Sequence, residues 1–308
     1  MMALVEKEWF IEAPWGKICI VAWGNCLDPP VLLCHGIIDS AASFRPLVKL
    51  LPKNFYYIAV ELPGNGRSDK FPRGVVLSSH DFVYALHVVV RHFRWETFAM
   101  ITHSFGAAIG RFYNLCYPGK ITKVVDIEPI AGRIPVPTEE FKMWFKSNYV
   151  DYFENYTYYN MAKQNMKKFP KEQAIKKLMK SRMMTRQNAE ATLERMTEPA
   201  GNGYLRYTYD QRMKLVSSPP LSPEHIQKLY TSIATPTLSI MAKDTVNKGG
   251  YKHLPFLEDE TAFPNGNYRV RYVKGGHDVH LNDPGVVAPF VTQFLLFGLE
   301  GVGGKAKL

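Results

Sequence analysis

Residues 101–110, ITHSFGAAIG, are the most informative ten residues of the chain. Their centre nearly matches the pattern G-x-S-x-G, in which a strained turn between a strand and a helix exposes a serine hydroxyl above a sheet. The apolar run Phe98–Ile101 precedes the turn and a helix of small residues follows it, so the context fits. Thr102 replaces the first glycine. The stretch predicts Ser104 as a nucleophile and Thr102 as a tolerated variant of the turn.

Short apolar strands alternate with helices on both sides of this turn. Such alternation predicts an α/β protein with a mainly parallel sheet covered by helices on both faces. Predicted strands are a hairpin at Glu8–Ala13 and Lys17–Trp23, then Pro30–Cys34, Phe55–Leu62, Thr97–Thr102, Ile121–Ile127, Pro236–Met241 and Tyr268–Val273, and predicted helices include Ala42–Leu51, Phe82–Phe93, Gly106–Tyr117 and Val286–Phe297.

The composition changes after Pro129, where the chain becomes rich in Tyr, Met and Lys. Residues 133–230 are predicted to form a helical lid, inserted between residues 1–132 and 231–308 of one α/β core. Such a lid would lie over the carboxyl ends of the strands, where the active sites of α/β proteins are found.

A serine hydroxyl needs a base to remove its proton. The best candidate is His277 in VKGGHDVHLNDP, which follows the last predicted strand and two glycines that give the loop freedom. His35, His103 and His280 are the competing histidines, and we interpret them as structural or supporting residues.

The base in turn needs an acid that fixes its tautomer. Asp244 follows the predicted strand Pro236–Met241 and completes the chain order Ser, Asp, His. Asp126 and Glu128, at the end of the strand after the nucleophile's helix, form an alternative acid site, with Asp126 as the alternative acid. Asp278 is poorly placed because it is adjacent to the base. The sequence favours Asp244.

The negative oxygen of a tetrahedral intermediate needs preorganised donors. One predicted donor is the backbone N–H of Phe105, directly after the nucleophile. The other is the N–H of Ile37 in CHGIID, where His35 and Gly36 make the turn. Asp39 lies in the same loop, where it either orients the loop by hydrogen bonding or starts the next helix, and the sequence favours the second. This chemistry requires no metal or organic cofactor.

The net charge of +10 is concentrated in one segment, because nine Lys and Arg residues and one acid lie between Lys163 and Arg186. No nucleic-acid-binding motif accompanies this run, so nucleic-acid binding is not predicted. An anionic substrate, an acidic surface or a solvated helix face would each explain it. The four cysteines show no C-x-x-C spacing, and no Cys/His spacing predicts a metal site.

The residues at the two ends of the chain suggest where in the cell the protein is located. The N-terminus is charged by Glu6 and has no apolar core typical of a secretory signal. No run approaches the roughly 20 apolar residues of a membrane span. Ala306-Lys307-Leu308 is close to the S-K-L signal, which predicts recognition by the peroxisomal import receptor. The cytoplasm is the alternative location.

Four segments, VLLCHG, ELPGNGRSD, ITHSFGAA and GGHDVHLNDP, resemble the α/β-hydrolases in order and spacing over essentially the whole chain. APWG, AWG, HGIIDSAASFRPLVKLLP with FYYIAV, HSFG and DQRMK resemble more closely the serine hydrolase-like proteins, a branch near the epoxide hydrolases. The resemblance implies a peroxisomal serine hydrolase with Ser104, His277 and Asp244 as its triad. Two positions depart from the pattern, Thr102 in the turn and Glu61 where Asp is common. Ser104 itself argues against epoxide hydrolysis and dehalogenation, which use an Asp nucleophile.

The predicted activity is hydrolysis of an ester or thioester through an acyl-enzyme. Dense aromatic residues in 141–161, together with the basic run, suggest an acyl substrate with an anionic portion. The alternatives are a non-catalytic protein of this fold that binds an apolar ligand under the lid, and a hydrolase of C–C bonds.

Overall fold

A computed structural model describes residues 5–129 and 136–303 of the chain. Ala306-Lys307-Leu308 lies outside the described residues, and the peroxisomal signal stays a prediction. The strands are β1 (Glu6–Ala13), β2 (Gly16–Trp23), β3 (Pro30–Cys34), β4 (Tyr56–Val60), β5 (Phe98–His103), β6 (Ile121–Ile127), β7 (Phe169–Pro170), β8 (Thr197–Pro199), β9 (Tyr204–Tyr207), β10 (Thr237–Ala242) and β11 (Tyr268–Val273). The α-helices are α1 (Arg45–Val48), α2 (Ser79–Phe93), α3 (Phe105–Cys116), α4 (Phe141–Phe145), α5 (Asp151–Glu154), α6 (Tyr156–Tyr159), α7 (Lys171–Ser181), α8 (Arg186–Met196), α9 (Pro223–Thr231), α10 (Lys243–Asn247), α11 (Val279–Asn282) and α12 (Pro284–Gly301).

The central sheet has eight strands in the order β1-β2-β4-β3-β5-β6-β10-β11. β1 pairs antiparallel with β2, and β2 antiparallel with β4. The remaining pairs are parallel, so six strands present their carboxyl ends at one edge. The predicted α/β class with a mainly parallel sheet is confirmed.

The sheet is buried on both faces because its strands are apolar at successive positions. In β3, Leu32 belongs to one apolar cluster, while its neighbours Val31 and Leu33 belong to another. This alternation follows from the two-residue period of a strand. The first cluster includes Phe82 of α2, and the second includes Val291 of α12. Helices therefore cover both faces of the sheet.

Helix α12 is long and apolar enough to cross a membrane by length and composition alone. However, Val287, Val291 and Phe294 are fully buried in the apolar cluster on one face of the sheet. The backbone turns sharply at Gly298, where φ is 66° and ψ is −147°. An apolar composition is equally expected of a helix that packs against a core.

The segment between β6 and β10 contains α4 to α9 and a small antiparallel sheet in the order β7-β9-β8. It is joined to the central sheet by Arg195 of α8, whose buried guanidinium donates to Glu61 and Glu8. This ion pair gives the unusual Glu61 a structural partner. Tyr230 of α9 lies in the main apolar cluster. The lid boundaries, residues 133–230, stay a prediction.

Candidate active site

Ser104 is the single residue between the end of β5 and the start of α3. Its backbone has φ 52° and ψ −116°, a conformation that non-glycine residues rarely adopt. Gly106 permits the close approach of α3 to β3, since a Cβ there would lie 2.3 Å from the carbonyl oxygen of Cys34. The local backbone is therefore the strained strand-turn-helix that ITHSFG predicted.

Thr102 fits the turn because two neighbours accommodate it. Its hydroxyl donates to Asp126 Oδ1 over 2.6 Å, and both residues are completely buried. Its methyl group faces Gly110 of α3, where an added Cβ would lie 3.1 Å from Thr102 Cγ2. Thr102, a hydrogen-bonding strand residue, thus replaces the first glycine of the pattern. The space for its side chain comes from Gly110 on the facing helix.

Thr102→Gly is expected to lower the free energy of unfolding by about 1–3 kcal/mol, because a buried carboxylate loses a donor. Chemical denaturation of wild type and variant measures the difference. Thr102→Ser, which keeps the hydroxyl, is the matched control and is expected to lose less. Equal stability of the glycine and serine variants would show that the hydrogen bond to Asp126 contributes nothing.

His277 lies in the loop between β11 and α11, and its Nε2 is 2.9 Å from Ser104 Oγ. The structure thus brings together the predicted nucleophile and base, which are 173 residues apart in the chain. The imidazole is partly exposed, with 38% of the side-chain surface accessible. A substrate can therefore approach the pair from solvent.

The other nitrogen of His277, Nδ1, is 3.2 Å from Glu128 Oε2. Glu128 directly follows β6 and is completely buried, with a φ of 52°. Its carboxylate also accepts hydrogen bonds from the backbone N–H of Ala242 and the hydroxyls of Thr245 and Tyr251. Since an ionised carboxylate only accepts, this contact places the proton on Nδ1 and leaves the Nε2 lone pair facing Ser104.

The role of Asp244 as the acid stays a prediction, and the structure places a different carboxylate against His277. Both β6 and β10 end at the same edge of the sheet, but Asp244 lies beyond β10, in α10, and is exposed. Glu128 instead reaches His277 from the end of β6. The alternative, Asp126, is also engaged elsewhere, because it pairs with Arg111 over 2.9 Å and accepts from the Thr102 hydroxyl. The carboxylate that contacts His277 thus comes from the strand of the alternative acid site, at Glu128.

His103 and His35 hold the loops around Ser104. His103 Nε2 donates to the carbonyl oxygen of His277 over 2.9 Å, which joins the nucleophile's strand to the base loop. Burial, with His277 nearby, lowers the pKa of His103 to about 4. His35 accepts from the N–H of Leu62 and donates through Nδ1 to the carbonyl oxygen of Gly36. Both histidines thus contact backbone atoms of the loops around Ser104, and their interpretation as supporting residues stays a prediction.

The two predicted oxyanion donors lie on elements next to Ser104. Phe105 begins α3, so its N–H belongs to the first turn, where amides have no acceptor within the helix. A Cβ on Gly36 would lie 3.3 Å from Ser104 Cβ, which places the loop that carries Ile37 against the nucleophile. Their role as donors stays a prediction.

Arg182, at the end of α7, is a residue that the sequence did not single out. Its Nε donates to Asp278 Oδ2 over 2.8 Å, and its Nη2 donates to Asp39 Oδ2 over 3.1 Å. Although burial opposes the charged form, Arg182 lowers the pKa of Asp278. This guanidinium joins two loops to the segment between β6 and β10. They are the base loop, residues 274–278, which carries His277, and the oxyanion loop, residues 35–40, which carries Ile37. Asp39 therefore forms an ion pair with Arg182 in addition to preceding the next helix, as expected from the sequence.

The basic run does not form one solvated face. Arg182 is engaged at the site, and exposed Arg186 pairs with Glu172. Lys167 and Lys177 instead line a cavity of about 590 Å³ formed by the segment between β6 and β10. Aromatic and cationic residues among the others that line it include Tyr158, Phe169, Tyr207 and Lys214.

Known proteins share this architecture. A family model described as alpha/beta hydrolase fold matches residues 29–284. Serine hydrolase-like protein 2 of Homo sapiens is 28% identical over 302 residues, covering 94% of each chain. Serine hydrolase-like protein of Danio rerio is 26% identical, covering 96% of this chain and 90% of the relative. The crystal structure of hypothetical protein PA1622 from Pseudomonas aeruginosa PAO1 superposes with a TM-score of 0.78 at 21% identity, covering 94% of this chain and 99% of that one. The chain therefore belongs to the α/β-hydrolase fold family and is similar to serine hydrolase-like proteins over nearly its whole length.

Proposed function

We propose that the protein is a serine hydrolase that cleaves an ester or thioester bond through an acyl-enzyme. The observation that carries this proposal is a continuous pair of contacts, 2.9 Å from Ser104 Oγ to His277 Nε2 and 3.2 Å from His277 Nδ1 to Glu128 Oε2. Nucleophile, base and acid lie in the order that this chemistry requires.

In the proposed reaction, His277 Nε2 takes the proton of Ser104 as Oγ attacks the substrate's carbonyl carbon. The N–H groups of Ile37 and Phe105 stabilise the negative oxygen of the tetrahedral intermediate. His277 then gives its proton to the leaving alcohol or thiol, and the ester to Ser104 remains. Water, deprotonated by His277, hydrolyses this ester. Throughout, the negative charge of Glu128 stabilises the imidazolium.

The free-energy cost of holding Ser104 and Glu128 in their observed conformations argues against a protein that only binds a ligand. Ser104 and Glu128 are non-glycine residues with positive φ, a conformation that costs of order 1–3 kcal/mol each. Glu128 is also a buried carboxylate whose hydrogen bonds come from several elements. A ligand pocket has no need of either feature, whereas an activated serine needs both.

We further propose that the substrate's acyl portion carries an anionic group. The cavity lined by Lys167, Lys177 and aromatic rings supports this proposal, because cations with apolar walls suit an amphipathic anion. The group that it holds would lie remote from the scissile bond.

The substrate proposal predicts a preference for anionic esters over neutral esters of equal chain length. Replacing both Lys167 and Lys177 with alanine is expected to raise KM for the anionic esters about 2- to 30-fold, since each exposed ion pair contributes about 0.2–1 kcal/mol. The neutral esters should be unaffected. Steady-state kinetics measures both sets.

Lys176→Ala is the matched control, because Lys176 is exposed on the same helix but does not line the cavity. Equal kcat/KM for the two ester sets would contradict the anionic substrate. Turnover of β-diketones, which are cleaved at a C–C bond, with no turnover of any ester or thioester would contradict the acyl chemistry itself.

A further inference from the structure

Behind the proposed base lie three buried side chains from different parts of the chain. Asp39 comes from the loop after β3, His103 from the end of β5 and His280 from α11. Each offers one ligand atom, and these atoms lie within 4.8 Å of one another. We propose that Asp39, His103 and His280 form a binding site for one divalent transition-metal cation of the Zn²⁺ type.

Unsatisfied nitrogen atoms point to a ligand at this position. Within residues 5–129 and 136–303, His103 Nδ1 and both ring nitrogens of His280 are buried without a hydrogen-bond partner. Buried polar atoms nearly always have a partner, so three such nitrogens in two neighbouring rings require an explanation. The ring centroids of His103 and His280 are only 4.0 Å apart, so one guest can bind one nitrogen of each ring.

The tautomer of His103 suits a metal ligand. Its Nε2 faces the carbonyl oxygen of His277 at 2.9 Å, and a carbonyl only accepts. The proton therefore lies on Nε2, and Nδ1 carries a free lone pair. Histidines that bind metals usually donate their other N–H to a carbonyl or carboxylate in this way.

The charges around the site favour a cation, because they leave one net negative charge. Arg182 is shared between Asp39 and Asp278, so one positive charge faces two carboxylates. Asp39 Oδ2 accepts from Arg182 and Oδ1 from the N–H of Ser40. Each carboxylate oxygen has a second lone pair, so Asp39 retains the capacity to bind a metal.

Two imidazoles and one carboxylate are a donor set that Zn²⁺ takes, with bonds of about 2.0–2.2 Å and a fourth position for water. Binding at these distances requires modest rotation of the side chains towards one another. The bound cation would join the oxyanion loop, the nucleophile's strand and the base loop. Its role is to stabilise this arrangement, and the proposed hydrolysis requires no step at the metal.

The test is calorimetric titration of chelator-treated full-length protein with Zn²⁺, with no use of activity. Wild type is expected to bind one equivalent and to unfold at a higher temperature when loaded. His280→Gln and Asp39→Asn should each weaken binding by about 100-fold or more. His225→Gln, which changes an exposed histidine on α9, is the matched control and should bind as wild type.

A second measurement covers the case in which a variant fails to fold. The visible spectrum of Co²⁺ bound to wild type distinguishes a site with nitrogen ligands from the hydrated ion without any substitution. Absence of saturable binding to wild type would overturn the proposal. So would Zn²⁺ binding that His277→Gln abolishes and His280→Gln leaves intact, because that result would place the metal at the base.

Discussion

Glu128→Gln is expected to lower kcat for ester hydrolysis by about 10⁴-fold, the size of the effect when the acid of such a triad becomes its amide. Glutamine keeps the shape of the side chain but removes the negative charge that stabilises the imidazolium. Its amide nitrogen would also be a donor among the donors from Ala242, Thr245 and Tyr251. KM should change little, because the lost interaction is made in the transition state.

Asp244→Asn is the matched control for this variant and should retain wild-type kcat within about 2-fold, since surface substitutions are usually mild. Because Glu128 is buried, circular dichroism and thermal unfolding must show that its variant is folded before the rates are compared. A large loss in Asp244→Asn beside a mild effect of Glu128→Gln would restore the assignment that the sequence favoured.

Ser104→Ala is expected to lower kcat by about 10⁶-fold, since the other triad residues have no nucleophile to activate. The residual rate would come from binding and the oxyanion donors. The fold should be retained, because Ser104 Oγ bonds to the partly exposed His277. Steady-state hydrolysis with the best ester measures the loss.

Ser79→Ala is the matched control for this second variant. Ser79 is a fully buried serine outside the site, and within the described chain its hydroxyl has no hydrogen-bond partner. It should keep wild-type activity. Activity that survives in Ser104→Ala would mean that another residue is the nucleophile.

Local patterns in the sequence were sufficient to predict the contact between Ser104 and His277 and most of the strands of the central sheet. The apolar run before Ser104 and the small residues at the start of the following helix can be recognised from neighbouring positions in the chain alone. The predicted strands Ile121–Ile127 and Tyr268–Val273 agree with β6 and β11 in both bounds. The helix predicted at Ala42–Leu51 is a 3₁₀ turn at Ala41–Phe44 followed by the short α1, in which Pro46 occupies the first turn.

The carboxylate that contacts His277 was not predictable, because two parallel strands end at the same edge and each offers a carboxylate. Which carboxylate reaches His277 depends on the backbone at Glu128 and on donors more than 110 residues away in the chain. The ion pairs of Arg182 were not predictable for a similar reason, since its partners Asp39 and Asp278 are distant in sequence. The structure explains these ion pairs, because Asp39 and Asp278 are buried carboxylates and a buried charge needs a partner of opposite charge.

The most direct test of the triad is labelling with a fluorophosphonate, which reacts covalently with an activated serine, followed by intact mass and peptide mapping. The account predicts one adduct per chain, located on Ser104, that is absent in Ser104→Ala and forms much more slowly in His277→Ala. Labelling that is absent from folded wild type, or that persists undiminished in Ser104→Ala, would contradict it.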